Sequence, residues 1–355
     1  MLDKTQLDFL RTLCETQTPS GREIEGQRLV AKYVEGFADE ITLDGLGNLH
    51  AVKNPGAPFR VMIDAHCDEN GLMVQFVDDK GFLFFSPVGG VNRQLLPGER
   101  VSLMGPKGNV PGVIGRKPIH LMSQKEKDSG VGEMDELWID IGAKDKAEAL
   151  EVAPPGTFGT ADAPFRLLCG TRASARAFDD RCGVFVIMEA LRRLKGRPLA
   201  VATHFVSTTQ EELGLLGSKV AAFGIDPNLG LSVDVTFATD DPQGNPRRTA
   251  DLRLGGGPVM GVGPNYDPAF SEIVKGTAAA SGIPLQLHPR KGNGNDAFAI
   301  RHTRAGVPVV HLAIPLRYMH SSVETLDLDD LDRCAQLIAD VLASLPAQPE
   351  VGFRL

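Results

Sequence analysis

Residues 59–68 read FRVMIDAHCD, and this stretch decides the fold class. Its apolar centre at 61–63 is typical of a strand buried on both faces, and polar residues follow where that strand should end. Three later stretches have the same character, namely ATHFVSTT (202–209), LGLSVDVT (229–236) and VPVVHLAI (307–314). Segments with helical periodicity occur at 179–194, 266–282 and 326–345. This alternation predicts an α/β fold with a mostly parallel sheet flanked by helices.

Two further segments complete the predicted architecture. Residues 22–37 follow a Pro19-Ser20-Gly21 turn and place apolar side chains near helical spacing, which predicts an amphipathic helix. Residues 70–163 interrupt the alternation, because short β-prone pieces are separated there by Gly and Pro turns. We therefore predict a discontinuous α/β domain of residues 1–69 and 164–355, with a small all-β domain inserted at 70–163.

The composition excludes several classes of function. The 355 residues include 37 Lys plus Arg against 45 Asp plus Glu, and the net charge of -8 repels nucleic acids and anionic membranes. No stretch reaches the ~18 consecutive apolar residues that a membrane-spanning helix needs. Asp3, Lys4 and Asp8 interrupt the apolar core of any secretory signal, so we expect a cytoplasmic protein. The five cysteines form no Cys-x-x-Cys pair, which argues against a disulfide framework and a cysteine zinc site.

Polar side chains follow the predicted strands. In open parallel sheets ligands bind outside the carboxyl ends of the strands, so the residues at those positions are candidates for a site. They are His66, Asp68, Glu211, Glu212, Asp234 and His320, with Asp179 and Asp180 at the start of a predicted helix. Several carboxylates brought this close together cannot all stay ionised without a cation. The pattern therefore predicts a metal site at this edge of the sheet.

The spacing within two of the motifs suggests how the roles divide. In an extended His66-Cys67-Asp68 segment the imidazole and the carboxylate share one face, while Cys67 points to the other. That geometry suits a ligand histidine whose second ring nitrogen is held by an aspartate. Adjacent Glu211 and Glu212 should diverge, so that one binds a metal while the other accepts a proton from metal-bound water.

Each of these motifs also has an ordinary structural explanation. A His-x-Asp pair is common at surfaces and in cores, and Asp179-Asp180 is typical of a helix cap with a first-turn acid. Glu211-Glu212 could begin a helix, and His320 lies in a polar stretch typical of a surface. Asp234 differs, because a carboxylate inside the strand-like LSVDVTF would be partly buried and needs a partner. The joint occurrence at predicted strand ends favours the metal site.

Six motifs occur in order along the chain, namely DAHCDENG (64–71), AFDDRCG (177–183), EELGLLGS (211–218), SVDV (232–235), GGGPV (255–259) and RYMHSSVE (317–324). In this order they resemble the signature of the tetrahedral-assembly metallo-aminopeptidases, family forty-two of the metallopeptidases. Glutamyl and deblocking aminopeptidases belong to that family, and some relatives carry endoglucanase labels. The resemblance runs from about residue 5 to residue 345. It implies a di-zinc exopeptidase-like fold and an enzyme that hydrolyses N-terminal residues from peptides.

The resemblance also implies site residues. Carried over by position, His66 and Asp234 hold one metal ion, Glu212 and His320 hold a second, and Asp179 bridges both. Glu211 is then the general base that activates a metal-bridging water, and Asp68 is the second catalytic residue. The peptide bond after Asp179 is expected to be cis, with Asp180 in an orienting role. The expected cofactors are two divalent ions per subunit, zinc first and cobalt or manganese as alternatives, since this donor set suits them better than calcium.

Two departures from the family pattern concern the surroundings of the site. Gly294-Asn295-Asp296-Ala297 stands where many relatives have Gly-Thr-Asp-Ala, and Ser321-Ser322-Val323 follows His320 where many relatives have a proline. Neither departure changes a ligand position, but both could reshape the substrate pocket. The residues that bind the substrate's side chain, and the preferred N-terminal residue, are not readable from the sequence.

Partners and rival functions follow from the same comparison. By resemblance the inserted domain mediates dimer contacts, and dimers build a homododecamer that encloses the active sites and admits unfolded peptides. One rival is a metal-independent glycoside hydrolase, because paired carboxylates also cleave sugars, although it gives the two histidines no role. Another is a nucleotide-binding protein that uses GGGPVMGVG (255–263), a run without a clear preceding strand or an immediately following helix.

Overall fold

The computed structural model describes residues 2–128, 130–291 and 294–353. In chain order the strands are β1 (Glu40–Leu43), β2 (Leu49–Lys53), β3 (Arg60–His66), β4 (Gly71–Val77), β5 (Leu83–Val88), β6 (Arg100–Gly105), β7 (Gly108–Gly115), β8 (Trp138–Asp140), β9 (Phe158–Ala161), β10 (Arg166–Leu167), β11 (Arg172–Ala175), β12 (Ala202–Thr208), β13 (Leu229–Phe237), β14 (Val259–Val262), β15 (Gln286–Pro289), β16 (Val309–Leu316) and β17 (Glu324–Asp327). The α-helices are α1 (Lys4–Glu15), α2 (Ile24–Val34), α3 (Gln124–Asp128), α4 (Lys146–Val152), α5 (Phe178–Arg193), α6 (Leu216–Ile225), α7 (Pro268–Ala280), α8 (Asp296–Arg301) and α9 (Leu328–Ser344).

The four strands predicted from apolar runs lie side by side at the centre of the main sheet. Its order is β1-β2-β12-β3-β13-β16-β14-β15, and β12, β3, β13 and β16 run parallel to one another. Each of the four is buried over most of its length, which explains why apolar residues fill them without alternation. Their carboxyl ends therefore meet at one edge of the sheet.

Helices cover both faces of this sheet. On one face α1, α2, α5, α7 and α9 share a core with the strands, and α5 is buried from Phe178 to Leu191. On the other face Ala222 of α6 and Ile300 of α8 pack against Met62 and Val206 of the sheet. The predicted α/β class with helices on both faces is confirmed.

The remaining strands form two smaller units. Strands β4-β5-β8-β7-β6-β9 close into an antiparallel barrel with its own core, which includes Leu83, Leu103 and Ile139. Strands β10, β11 and β17 form a three-stranded antiparallel sheet. The predicted small all-β unit is thus present, while its proposed limits at residues 70 and 163 stay a prediction.

The structure bears on the state of the cysteines and on membrane-spanning helices. The five cysteines are free, and only Cys169 is exposed. Among the helices of the described residues, none combines the length and the apolar character needed to cross a membrane. Cytoplasmic location stays a prediction.

Candidate active site

Side chains from five separate segments converge at the carboxyl edge of the parallel strands. They line one cavity of about 500 Å³ and are His66 at the end of β3, Asp179 at the start of α5, Glu211 and Glu212 between β12 and α6, Asp234 in β13 and His320 after β16. The six predicted ligand and base positions are therefore neighbours in space, although residues 66 and 320 lie near opposite ends of the chain. Parallel strands bring them together because all end at the same edge.

Asp179 lies between the two histidines. One of its carboxylate oxygens is 3.2 Å from Nε2 of His66, and the other is 3.3 Å from Nε2 of His320. Asp179 and Asp180 have non-helical backbone angles within α5, and the peptide bond between them is cis, as the resemblance implies. A carboxylate that presents its two oxygens to two different imidazoles is suited to bridge two cations.

Two overlapping groups of donor atoms have the spacing of metal ligands. His66, Glu211 and Asp234 form one group, and His66, Asp179 and Glu212 form the other, with the donor atoms of each group within 4.8 Å of one another. His320 extends the second group, since its Nε2 lies 3.7 Å from Oε1 of Glu212. Glu211, expected to act as the base, thus lies at ligand distance from its neighbours.

The carboxyl groups of this cluster are hard to ionise together. Burial raises the pKa of Glu211 to about 10, with the Asp234, Asp296 and Glu212 carboxylates adding to the effect and His66 opposing it. Burial and the Asp179 carboxylate raise the pKa of Asp234 to about 8. Burial, again with Asp179, raises the pKa of Glu212 to about 7. A divalent cation among these groups would favour their ionised forms.

The two histidines respond in the opposite direction. The hydrogen bond to Asp179 raises the pKa of His320 to about 9, with burial opposing. Burial acts to raise the pKa of Asp179, but its hydrogen bonds with His320 and His66 hold it below the ordinary value. In the absence of an ion, protons on the histidines and on some of the carboxyl groups offset the negative charge of the cluster. Bound cations would offset the same charge. The imidazole and carboxylate donors of this cluster fit divalent cations of the zinc, cobalt or manganese type.

Asp68 is fully buried beside the cluster and contacts His66 and the main chain of Glu211 and Glu212. Its main-chain oxygen lies 3.2 Å and its carboxylate 3.5 Å from Nδ1 of His66. The two carboxylate oxygens accept the main-chain N–H groups of Glu211 and Glu212 at 3.0 and 3.2 Å. Asp68 therefore links the histidine to the loop that bears both glutamates, which is a wider role than the spacing of His66-x-Asp68 indicates.

The sequence left open whether Asp180 caps a helix and whether Glu211 and Glu212 begin one. One oxygen of Asp180 accepts the N–H of Gly183 at 3.2 Å, as a helix cap does, and the other accepts the N–H of His66 at 3.3 Å. The capping explanation thus holds for Asp180. It does not hold for the glutamates, because α6 begins only at Leu216 and Glu211 lies in a turn before it.

Three residues near the site were not singled out from the sequence. Glu324 is buried, and its two oxygens accept the N–H groups of Asp179 at 3.0 Å and His320 at 2.8 Å. Asn70 donates to Oε1 of Glu212 at 2.7 Å, and the main-chain oxygen of Gly90 lies 3.0 Å from Nδ1 of His320. Glu324 and Asn70 stand in the quoted motifs, which was the available signal, whereas nothing local distinguishes Gly90.

The departures from the family pattern lie beside the site. Gly294 and Asn295 line the same cavity as the acidic cluster. Asp296 is buried at the start of α8 and accepts the hydroxyl groups of Thr208 at 2.8 Å and Ser218 at 2.6 Å. The first departure therefore borders the space where a substrate would lie.

The glycine-rich run considered for nucleotide binding has a different partner. The N–H groups of Gly255 and Gly257 donate to the two carboxylate oxygens of Asp330 at 2.7 and 2.8 Å. The run continues into β14 (Val259–Val262) rather than a helix. Its amides are thus engaged by a carboxylate of the chain itself, which argues against a phosphate site.

Comparisons with known proteins found similar sequences and similar structures. A model of the family described as M42 glutamyl aminopeptidase matches residues 47–337. The lysyl aminopeptidase of Pyrococcus furiosus is 36% identical over 341 residues, which cover 95% of this chain and 97% of that protein. The TET aminopeptidase from the marine sediment archaeon Thaumarchaeota archaeon SCGC AB-539-E09 superposes with a TM-score of 0.92 at 34% identity, covering 96% of this chain and 97% of its own. The Pyrococcus horikoshii TET1 peptidase, which can assemble into a tetrahedron or a large octahedral shell, gives 0.84 at 33% identity and covers 96% and 100%.

Proposed function

Because the chain belongs to the M42 glutamyl aminopeptidase family and is thus a hydrolase of N-terminal residues, we propose that it works as a two-metal aminopeptidase. His66 and Asp234 would hold one ion, Glu212 and His320 the other, and Asp179 both. The observation that carries this proposal is the position of Asp179, whose two oxygens face two different imidazoles at 3.2 and 3.3 Å. Zinc is the first candidate, with cobalt or manganese as alternatives.

Glu211 and Asp68 have different roles in the proposed hydrolysis. Bound divalent ions would supply Lewis acidity that polarises the scissile carbonyl and activates water. Glu211 accepts a proton from the attacking water and returns it to the amine that leaves. Burial raises the pKa of its carboxyl in the ion-free cluster, and bound cations would favour the ionised form that accepts the proton. Asp68 holds the main chain of Glu211, so the carboxylate keeps one position through both proton transfers.

Replacing Glu211 with Gln tests its role as a base rather than a ligand. We expect Glu211→Gln to keep both metal ions while turnover falls by about 10²- to 10⁴-fold, because the variant cannot accept the proton. Glu212→Gln is the matched variant and should lose metal, since an amide is a poorer ligand. Glu272, which is exposed and paired with Lys275, offers a control as Glu272→Gln. Near-normal turnover in Glu211→Gln, or loss of its metal, would contradict the assignment.

The glycoside hydrolase alternative makes a different prediction for chelation. A carboxylate pair that cleaves sugars needs no cation, so sugar release would survive a chelator. The proposed peptidase should lose activity on chelation and recover it with zinc or cobalt. The contacts of both imidazoles with Asp179 support the peptidase, because a carboxylate pair alone would leave these histidines without a function.

The other residues that line the cavity of the cluster indicate which N-terminal residue the enzyme prefers. Arg248, His288 and Arg290 are among the residues that line this cavity, and the described residues supply no ion-pair partner for either arginine. Two unpaired guanidinium groups favour a substrate carboxylate in this cavity. We therefore propose a preference for acidic N-terminal residues. Aminoacyl chromogenic substrates test it well, because they have no C-terminal carboxylate that could bind the arginines instead.

The assembly is a further part of the proposal. The likeness to a TET1 peptidase that assembles into closed shells supports a homododecamer of this chain. We propose that residues 70–163 form the inserted domain and mediate the dimer contacts within it. Light scattering that finds only a monomer in solution would contradict this part of the proposal and remove any selection for unfolded peptides.

A further inference from the structure

The turn that follows α1 lies directly behind the loop that bears Glu211. Pro19 pairs with Glu69, just after β3, in a parallel bridge, and Ser20 and Glu23 are 2% and 6% exposed. Ser20 donates its hydroxyl to Oδ2 of Asp68 at 2.6 Å. Oε1 of Glu23 accepts the N–H of Gln210 at 3.1 Å. Two side chains of one short turn thus reach the loop, one directly and one through Asp68.

Three consecutive main-chain N–H groups of the loop end on buried carboxylates. The N–H of Gln210 donates to Glu23, and those of Glu211 and Glu212 donate to the two oxygens of Asp68 at 3.0 and 3.2 Å. Burial acts to raise the pKa of Asp68, but its contacts with His66 hold it below the ordinary value, so the two bonds to Asp68 belong to the stronger, charge-assisted class. The two bonds to Asp68 hold the peptide units on either side of Glu211, and the bond to Glu23 holds the unit between Thr209 and Gln210.

Gln210 needs such an anchor because of its backbone conformation. Its φ is 54°, in the left-handed region that a residue with a Cβ adopts only at a cost. The N–H that Glu23 accepts belongs to this same residue. Without that bond Gln210 would relax toward the ordinary region, which would shift the chain that follows it and move the Glu211 side chain from its position.

The turn is built to present the Glu23 carboxylate. Gly21 has a φ of 87°, which favours glycine, and its N–H donates to the same Oε1 of Glu23 at 2.6 Å. Both bonds therefore end on one oxygen. The two ends of the loop are held by other contacts. Asn48 accepts the N–H of Thr209 at 2.9 Å and donates to the main-chain oxygen of Gly217 at 2.9 Å. Loss of the Glu23 side chain should thus disturb the loop around Gln210 and Glu211 while the fold persists.

We propose that Glu23 and Ser20 are positioning residues for the general base, Glu23 by fixing the Gln210 peptide and Ser20 by fixing Asp68. This inference rests on the proposed function of Glu211 as the base. It assigns a role in the reaction to the Pro19-Ser20-Gly21 turn, which the sequence marks only as the start of a helix.

The first test compares Glu23→Ala with Glu23→Gln in the metal-loaded protein. We expect Glu23→Ala to lower kcat by about tenfold to a hundredfold with KM and metal content nearly unchanged, as is usual when a supporting contact of a reacting group is lost. Glu23→Gln keeps an oxygen at the accepting position and should restore most of kcat. Glu25→Ala is the matched control on α2, because Glu25 is exposed and paired with Arg28.

Ser20→Ala gives a second test that removes only one hydroxyl. It should lower kcat about tenfold and, like Glu23→Ala, leave the ligands in place. A kcat within twofold of the unmodified enzyme in both Glu23→Ala and Ser20→Ala would overturn the inference. So would a Glu23→Gln variant as impaired as Glu23→Ala, since the acceptor oxygen would then not be what matters. If Glu211→Gln itself stays active, the proposed function fails; if Glu211→Gln is inactive while the turn variants are normal, only this inference fails.

Discussion

The main-chain oxygen of Gly90 lies 3.0 Å from Nδ1 of His320. Gly90 follows barrel strand β5, whereas His320 belongs to the loop after β16 of the main sheet. When the imidazole is neutral, as a metal ligand is, an acceptor at this distance favours the tautomer with a proton on Nδ1, so that the lone pair of Nε2 faces Asp179 and Glu212. The barrel therefore takes part in setting the orientation of a proposed metal ligand.

Gly90→Ala should impair the enzyme through this contact. A Cβ at residue 90 would lie 2.9 Å from two atoms of the His320 ring, so the imidazole must move. We expect metal affinity and kcat/KM to fall by about tenfold to a hundredfold. Gly56→Ala is the control, because a Cβ there meets nothing within 4 Å. Metal titration and peptide hydrolysis check the prediction, and unchanged affinity in Gly90→Ala would contradict it.

Glu324→Gln should weaken metal binding without touching a ligand. The variant would turn an N–H₂ group toward the N–H of either Asp179 or His320, where Glu324 now accepts both at 3.0 and 2.8 Å. The loss of one accepted bond and the new clash of donors should reduce metal affinity by about tenfold to a hundredfold. Competition with a metal indicator measures this affinity, with Glu272→Gln as control. Equal affinities in the two variants would show that Glu324 does not orient the ligands.

Arg290→Gln should change the preference among N-terminal residues. Arg290 lines the same cavity as Asp234, and its replacement removes one of the two arginines there. We expect kcat/KM for glutamyl and aspartyl substrates to fall about tenfold while that for alanyl substrates stays nearly constant. Arg253→Gln is the matched control, since Arg253 is exposed and paired with Asp251. An equal effect on all substrates would contradict a role in selectivity.

His311 should make stability depend on pH below neutrality. It is buried in β16, and within the described residues both ring nitrogens lack a hydrogen-bond partner. Burial, with Arg290 adding, lowers the pKa of His311 to about 3. The unfolded chain takes up a proton below pH ~6.5 and the folded protein does not, so stability is lost as pH falls from ~6.5 toward 3. The free energy of unfolding should decrease by about 1.4 kcal/mol per pH unit from this group.

His311→Phe removes that contribution. Denaturant unfolding between pH 7 and 4.5 should then show a shallower decline of the free energy of unfolding than in the unmodified protein. His120→Phe is the control, because His120 is exposed and solvated in both states. Parallel pH profiles for His311→Phe and the unmodified protein would rule out this explanation.

The central sheet was predictable because its strands are buried on both faces. The stretch 202–209 corresponds to β12 (Ala202–Thr208), and 229–236 to β13 (Leu229–Phe237). Continuous apolar runs of this length have few other uses in an α/β protein. The positions at the strand ends followed from the same reasoning, since parallel strands end at one edge. Helix α1 (Lys4–Glu15) was not predicted, although Leu10 and Leu13 in it belong to the core.

The support of the site was not predictable in the same way. The roles of Glu324, Gly90 and Glu23 depend on contacts with residues far away in the chain, and no local pattern reveals such contacts. The turn before α6 is a second case. Gln210 and Leu215 adopt positive φ without being glycines, so the EELGLLGS motif reads as a helix start although Glu211 precedes the helix.

The spread of the donors along the chain has a consequence for biosynthesis. His66 is translated early, whereas His320 belongs to the last tenth or so of the 355 residues. The side chains that face Asp179 therefore come together only after the strands from β3 to β16 have assembled. A nascent chain still on the ribosome cannot present the complete donor set until nearly all of it has emerged. Ion capture at the proposed site would then be a late event in maturation, and a truncated product that lacks the last segment would be unable to complete the donor set.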